Sequence, residues 1–239
     1  MTTQSSRALE TGIIHLPVSR TARVATAGEP GSSVEELWIV IHGYGQLAPL
    51  FIRHFFPLAD GTRWILAPEA LSRFYHEMPD AERHLGVPPE QRRVGAAWLT
   101  REEREAEIED SVQYLDAVFR MARLHVRPDV KLVVLGFSQG VSVASRWLAM
   151  SGLEPMAHHI ICWSGSVPQE LVDAGLTIGA RRATLVVGDE DPWVKQATVE
   201  EQRQRLSALA VEPRVVTFSG GHRMDAPTLA SLLERAALK

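Results

Sequence analysis

The pentapeptide Gly136-Phe137-Ser138-Gln139-Gly140 stands where an apolar run, residues 131–135, gives way to a segment of helical periodicity. That is the strand–turn–helix context of a G-x-S-x-G nucleophile elbow. A serine on so sharp a turn leaves no room for side chains between strand and helix, which accounts for the flanking glycines. The simpler alternative is a tight turn whose serine only caps the helix; the context favours Ser138 as a nucleophile. A serine hydroxyl is a weak nucleophile, so it needs a base, and the base needs an orienting acid.

Two further strand-like runs supply both partners downstream. Residues 184–187 lead into Gly188-Asp189-Glu190-Asp191-Pro192, and residues 214–218 lead into Ser219-Gly220-Gly221-His222. Asp191 follows Ser138 by 53 residues and His222 follows Asp191 by 31, so each gap holds at least one βα unit. All three groups can therefore gather at one edge of a sheet. His222 is the only one of the nine histidines beyond these carboxylates. Asp191, already clear of the strand and next to Pro192, is the expected acid; Asp189 and Glu190 remain alternatives.

Attack on an acyl carbon also creates an alkoxide, which preorganised backbone N–H groups stabilise. The residue after the nucleophile, Gln139, would offer one N–H. The glycine-bearing turn His42-Gly43-Tyr44-Gly45 follows the apolar run 37–41 and would offer the other through the Tyr44 backbone. His42 precedes the nucleophile at a strand end and reads as a structural hydrogen-bonding residue.

The elements that must carry these groups are legible as alternating runs. Short apolar or β-branched stretches at 37–41, 64–67, 131–137, 160–163, 184–187 and 214–218 read as strands covered on both faces. Between them, residues 102–125, 141–150, 195–210 and 227–238 show helical spacing; Ile108, Val112, Leu115, Val118, Phe119 and Ala122 make one apolar stripe. Strand and helix alternate from about residue 37 onward, which implies an α/β fold with a mostly parallel sheet wrapped by helices. Residues 13–18 and 23–27 add an expected N-terminal antiparallel hairpin. We expect one domain over residues 1–239, decorated by an aperiodic, charged, proline-bearing excursion at 71–100. Such an excursion suits a lid beside the cleft. Phe74, Tyr75 and Trp98 within it, with Trp193 after the acid, are the candidate apolar wall for substrate.

Composition excludes several other classes. Of 239 residues, 45% are hydrophobic and 23% charged, as in ordinary globular proteins, which excludes a disordered tail or a collagen. Twenty-five basic against 29 acidic side chains leave a charge of −4, so nucleic acid is not an expected partner. No run reaches the roughly 18 apolar residues of a membrane span. The single cysteine, Cys162, lies in an apolar strand run and reads as an inert core thiol. With no secretory pattern in the first dozen residues, a cytoplasmic setting is the expectation. Neither a zinc-binding C-x-x-C or H-x-x-x-H pattern nor a complete G-x-G-x-x-G is present, so no metal or organic cofactor is expected.

The set HGYG, GFSQG, GDEDPWV and GGH, in this order, resembles the α/β-hydrolase superfamily. Within it, the sequence is similar to the phospholipase/carboxylesterase family, which includes acyl-protein thioesterases, over roughly residues 36–237. The resemblance implies a Ser138–Asp191–His222 triad, oxyanion donors at Tyr44 and Gln139, and a small-molecule acyl ester or thioester as substrate. Two departures stand out: Gln46 occupies a place where the family often has an acid, and the 71–100 excursion is longer and more charged. A noncatalytic ligand-binding relative is the alternative, although an intact set of polar positions argues against it.

Overall fold

The computed structural model describes residues 12–77, 88–194 and 196–234. Nine strands are described: β1 (Val24–Ala27), β2 (Glu36–Ile41), β3 (Arg63–Pro68), β4 (Ser72–Tyr75), β5 (Val94–Ala97), β6 (Lys131–Phe137), β7 (His159–Trp163), β8 (Ala183–Gly188) and β9 (Pro213–Phe218). The helices are α1 (Ala48–Phe51), continued by a 3-10 turn over Ile52–Leu58, α2 (Arg104–Arg123), α3 (Gln139–Met150), α4 (Gln169–Asp173), α5 (Gln196–Ala208) and α6 (Ala226–Glu234).

Seven strands form one sheet in the order β1-β3-β2-β6-β7-β8-β9, parallel throughout except where β1 runs against β3. Alternation along each strand splits the core into two layers. Leu37, Ile39 and Ile41 of β2, with Leu132 and Val134 of β6, face the layer built by α2 to α5. Trp38 and Val40, with Val133 and Leu135, face the layer built by α1, the 3-10 turn and α6. Burial on both faces is why these strands read as continuous apolar runs. The chain order reverses between β2 and β6, and ligand crevices form beyond the carboxyl ends of strands at such a switch point. The HGYG turn and the GFSQG pentapeptide occupy those two strand ends.

The expected N-terminal antiparallel pair is present, with a different second strand. β1 is antiparallel, as expected, but its partner is β3, with Val24 opposite Pro68 and Ala27 opposite Ile65. Residues 13–18 form no strand, and Ile13, Ile14, Leu16 and Val18 are highly exposed. β3 offers β1 an open row of hydrogen-bonding groups and a core for Ala27. A two-stranded hairpin with residues 13–18 would have neither.

The excursion also differs from an irregular loop. Its described parts contain β4 and β5, which pair antiparallel as a separate two-stranded sheet, Ser72 opposite Ala97 and Tyr75 opposite Val94. The middle of the excursion, residues 78–87, lies outside the described residues. Among the described residues, no helix is long and apolar enough to cross a membrane. Cys162 is buried, and burial pushes its thiol up to about 12, which removes it as a thiolate nucleophile.

Candidate active site

Ser138 sits between the last residue of β6 and the first of α3, at φ 54° and ψ −119°. A non-glycine residue in that region carries strain of about 1–3 kcal/mol and persists only when its surroundings hold it there. The Ser138 N–H donates to the Trp163 carbonyl at 2.9 Å, and the Val141 N–H donates to the Ser138 carbonyl at 3.0 Å. The two glycines are required by close approach. A Cβ on Gly136 would lie 2.4 Å from the Gly140 carbonyl oxygen, and one on Gly140 would lie 2.2 Å from that of Ile41.

On the far side of the cleft, β8 and β9 deliver the acid and the histidine. His222 Nδ1 and Asp191 Oδ2 are 2.8 Å apart, and the Asp191 side chain is fully enclosed. A carboxylate can only accept, so Nδ1 carries a hydrogen, and in the neutral imidazole the lone pair is then on Nε2. The other Asp191 oxygen accepts the Trp193 N–H at 2.9 Å. Asp189 does different work: its carboxylate accepts the Gly220 N–H at 2.9 Å and ties the histidine loop down. Glu190 contributes its backbone N–H to the Gly220 carbonyl while its side chain is exposed. Of the three crowded carboxylates, only Asp191 bonds the imidazole. The His222 ring packs on Phe137, with centroids 5.1 Å apart.

The third part is the loop after β2. His42 is completely buried, and burial pulls its ring below the usual pKa against smaller opposing effects of Gly43 and Glu69. It is a neutral imidazole. The Ala70 N–H donates into Nε2 at 3.1 Å, which leaves the hydrogen on Nδ1 to donate to the Gly43 carbonyl at 2.8 Å. In a planar trans peptide the C=O and N–H point opposite ways. Holding the Gly43 oxygen therefore aims the Tyr44 N–H away from it. Gln46, at the departure from the family pattern, accepts the Gly43 N–H through Oε1 at 2.8 Å. Among the described residues, the N–H groups of Tyr44 and Gln139 donate to no protein acceptor, which leaves both available to a ligand.

Ser138, Gln139, Ser164, Trp193, Val194 and His222 border one cleft of about 380 Å³, toward the small end of the roughly 300–1,000 Å³ usual for small-molecule sites. A larger hollow of about 1040 Å³ lies between α5 and β9; Asp191 and Val194 border it, and Ser138 does not. Trp193, 76% exposed, is the one expected wall aromatic that borders the Ser138 cleft. Phe74 instead stacks on the Tyr44 ring at 5.1 Å, and Tyr75 is exposed beneath the Arg92 guanidinium.

Trp98 is the clearest correction to the expected wall: it is 3% exposed, belongs to the main core and donates its indole N–H to the His42 carbonyl at 3.0 Å. A buried indole must satisfy that donor, and its partner lies beneath the loop. The site also rests on a group that sequence reasoning missed. Glu69, 1% exposed, accepts both Arg23 Nε and Nη2 at 2.7 Å, Arg73 Nε at 2.6 Å and the Ala48 N–H at 3.1 Å. Its position directly after an apolar strand and Pro68 was the only available signal.

Residues 38–234 match the sequence profile of the family described as Serine hydrolase (FSH1). A sequence comparison with the curated proteins gives no match. Among solved structures, esterase PE8 is similar at 21% identity, covering 90% of this chain and 99% of its own, with a TM-score of 0.62. Zea mays acyl-protein thioesterase 2 is similar at 15% identity over 91% and 99% of the two chains, also at 0.62. A phospholipase/carboxylesterase from Dyadobacter fermentans DSM 18053 has 17% identity over 93% and 99%, again at 0.62. At these identities the likeness is one of fold, and the fold is that of the α/β-hydrolases.

Proposed function

The chain belongs to the serine hydrolase (FSH1) family, and from that premise we propose that it cleaves a carboxylic ester or thioester through an acyl-enzyme on Ser138. The observation that carries this reading is the convergence of Ser138 and His222 on one cleft, with His222 held at 2.8 Å by an enclosed carboxylate.

In the proposed reaction, Ser138 Oγ attacks the acyl carbon and His222 Nε2 takes the hydroxyl proton. The negative charge that forms on the carbonyl oxygen is met by the N–H groups of Tyr44 and Gln139. Collapse of this intermediate breaks the bond to the alcohol or thiol, which leaves with the proton from His222. Water then attacks the acyl carbon as His222 takes its proton, and a second collapse frees the carboxylic acid and restores Ser138. Asp191 keeps the imidazole in the Nδ1–H form and stabilises the transient imidazolium. The substrate is a small acyl ester or thioester that fits the cleft.

A fluorophosphonate probe tests this. The wild type is expected to take up one label, on Ser138, and Ser138→Ala none, with loss of essentially all ester hydrolysis. Labelling of the alanine variant would remove Ser138 as the nucleophile. A wild type that neither labels nor hydrolyses any ester or thioester would favour a noncatalytic binding protein.

A further inference from the structure

We infer that Trp98 is a positioning residue that fixes the two oxyanion donors relative to each other, so that the segment leaving β5 supports the catalytic apparatus. The inference rests on the reading of Ser138 as nucleophile and of the Tyr44 and Gln139 N–H groups as donors.

The two donors lie on different segments, one after β2 and one after β6. An oxyanion hole works only if both point at the same atom without reorganising as charge develops. The end of β5 and the two residues after it touch both segments. Toward the β2 loop, Trp98 Nε1 donates to the His42 carbonyl at 3.0 Å, and the Ala96 carbonyl accepts the Gly45 N–H at 2.8 Å. Gln46 forms an antiparallel bridge with Ala96. Toward the elbow, the Gln139 side chain takes the Trp98 N–H at 3.1 Å and gives its own amide N–H to the Leu99 carbonyl at 2.8 Å.

Trp98 thus holds the Gln139 segment with its main chain and the Tyr44 segment with its indole. The clamp extends through the peptides. Trp98 holds the His42 carbonyl and Gln46 holds the N–H of the same peptide. In the next peptide the His42 ring holds the Gly43 carbonyl, and the Tyr44 N–H is left for the ligand. The rings of Trp98 and His42 are in contact, with centroids 5.3 Å apart, so the imidazole is supported from below as well. The close fit shows again at Gly95, where a Cβ would lie 2.6 Å from the Gly45 carbonyl oxygen.

A wall residue and a positioning residue differ in what they change. Removing a wall aromatic alters which acyl chain is preferred. Loosening the donors weakens transition-state binding for every ester alike. Trp98→Phe keeps most of the ring volume and removes the indole donor; Gln139→Ala keeps the backbone N–H and cuts the other arm. Rates are measured per active site titrated with fluorophosphonate, on p-nitrophenyl esters of graded chain length.

Each variant is expected to lose about tenfold in kcat with KM held within about twofold, by the same factor for every ester. Fluorophosphonate labelling of Ser138, which also places an oxygen in the hole, slows with it. The double variant is expected to be no worse than about the poorer single, because both cut one clamp. Unchanged kcat per titrated site, even with a lower melting temperature, would reduce Trp98 to scaffold and overturn the inference. A shifted chain-length preference would return it to the cleft wall, and multiplying losses would show two independent effects; both outcomes overturn it too. If Trp98→Phe fails to fold, Gln139→Ala decides alone. A wild type that takes up no label overturns the Ser138 reading itself, an outcome separate from these.

Discussion

The half of the site proposed to meet the oxyanion is fixed by buried side chains that bond individual peptide groups, whereas the Asp191–His222 half rests on two loops joined to each other by backbone and side-chain bonds. On the first side, His42 and Trp98 are buried; the His42 ring bonds the Gly43 carbonyl and the Ala70 N–H, and the Trp98 indole bonds the His42 carbonyl. On the second, His222 is held by Asp191 and by contact with Phe137, while Trp193 beside the acid stands 76% exposed. The loops are joined by the Glu190 N–H to the Gly220 carbonyl and by Asp189 to the Gly220 N–H. The contrast follows the proposed chemistry. Oxyanion donors lose effect if they must turn toward a developing charge, so rigidity serves them. A histidine that accepts a proton from one group and delivers it to another needs a fixed tautomer with some room to tilt.

The largest expected effect lies on the loop side. Asp191→Asn should lower kcat by about 10,000-fold, because the wrong imidazole tautomer becomes favoured. Asp189→Asn, which alters only the tie to Gly220, should cost about tenfold or less, in line with an exposed hydrogen bond of about 1 kcal/mol. Steady-state kinetics on both variants would break the comparison if the ranking reversed.

A smaller effect, on stability, sharpens the other side. Glu69 anchors the wall behind the His42–Gly45 loop through Arg23 and Arg73, and Glu69→Gln should destabilise the protein by about 2 kcal/mol at neutral pH. Burial alone would raise the Glu69 pKa; the hydrogen bonds from Arg23 and Arg73, with the Arg23 charge and the Ala48 N–H, outweigh it and hold the group below its usual range. The folded value is thus lower than the unfolded one. Its contribution is complete above about pH 4.3 and drains away as the pH falls through the folded value. Denaturant melts of wild type and variant should therefore converge on acidification. A gap that stayed constant to pH 3 would show that the carboxylate charge is not what holds the wall.

The smallest expected effect is at the rim. Trp193→Ala should leave the melting temperature unchanged within about 1 °C, since the ring is mostly solvated, and shift chain-length preference by no more than about fivefold. A large uniform loss of kcat would mean that Trp193 supports Asp191 through more than its backbone N–H.

The legible and illegible parts of the fold divide along the same line. Runs such as 37–41 and 131–137 announced β2 and β6 because strands covered on both faces must be apolar at every position. The stripe from Ile108 to Ala122 announced α2, observed as Arg104–Arg123. β4 and β5 escaped notice because they form a partly exposed two-stranded sheet with no need for such a run. The short α1 and its 3-10 continuation, interrupted by Pro57, also lack a period long enough to read.

By itself the sequence determined the alternation of the central parallel strands with the long helices, the sharp glycine-flanked turn at Ser138, and the strand ends that carry Asp191 and His222. These follow from local sterics and periodic burial, which act on neighbouring residues and leave a local trace. Tertiary structure alone decided which strand β1 would pair with, which of three adjacent carboxylates would meet the imidazole, and that Glu69 would be buried between two arginines. It also decided that Trp98 would lie beneath the His42–Gly45 loop and away from the cleft wall. Each depends on a partner far along the chain: 46 residues separate Arg23 from Glu69, and 56 separate His42 from Trp98. A hydrogen bond over such a distance imposes no spacing on its neighbours, so it becomes visible only when packing brings the two groups together.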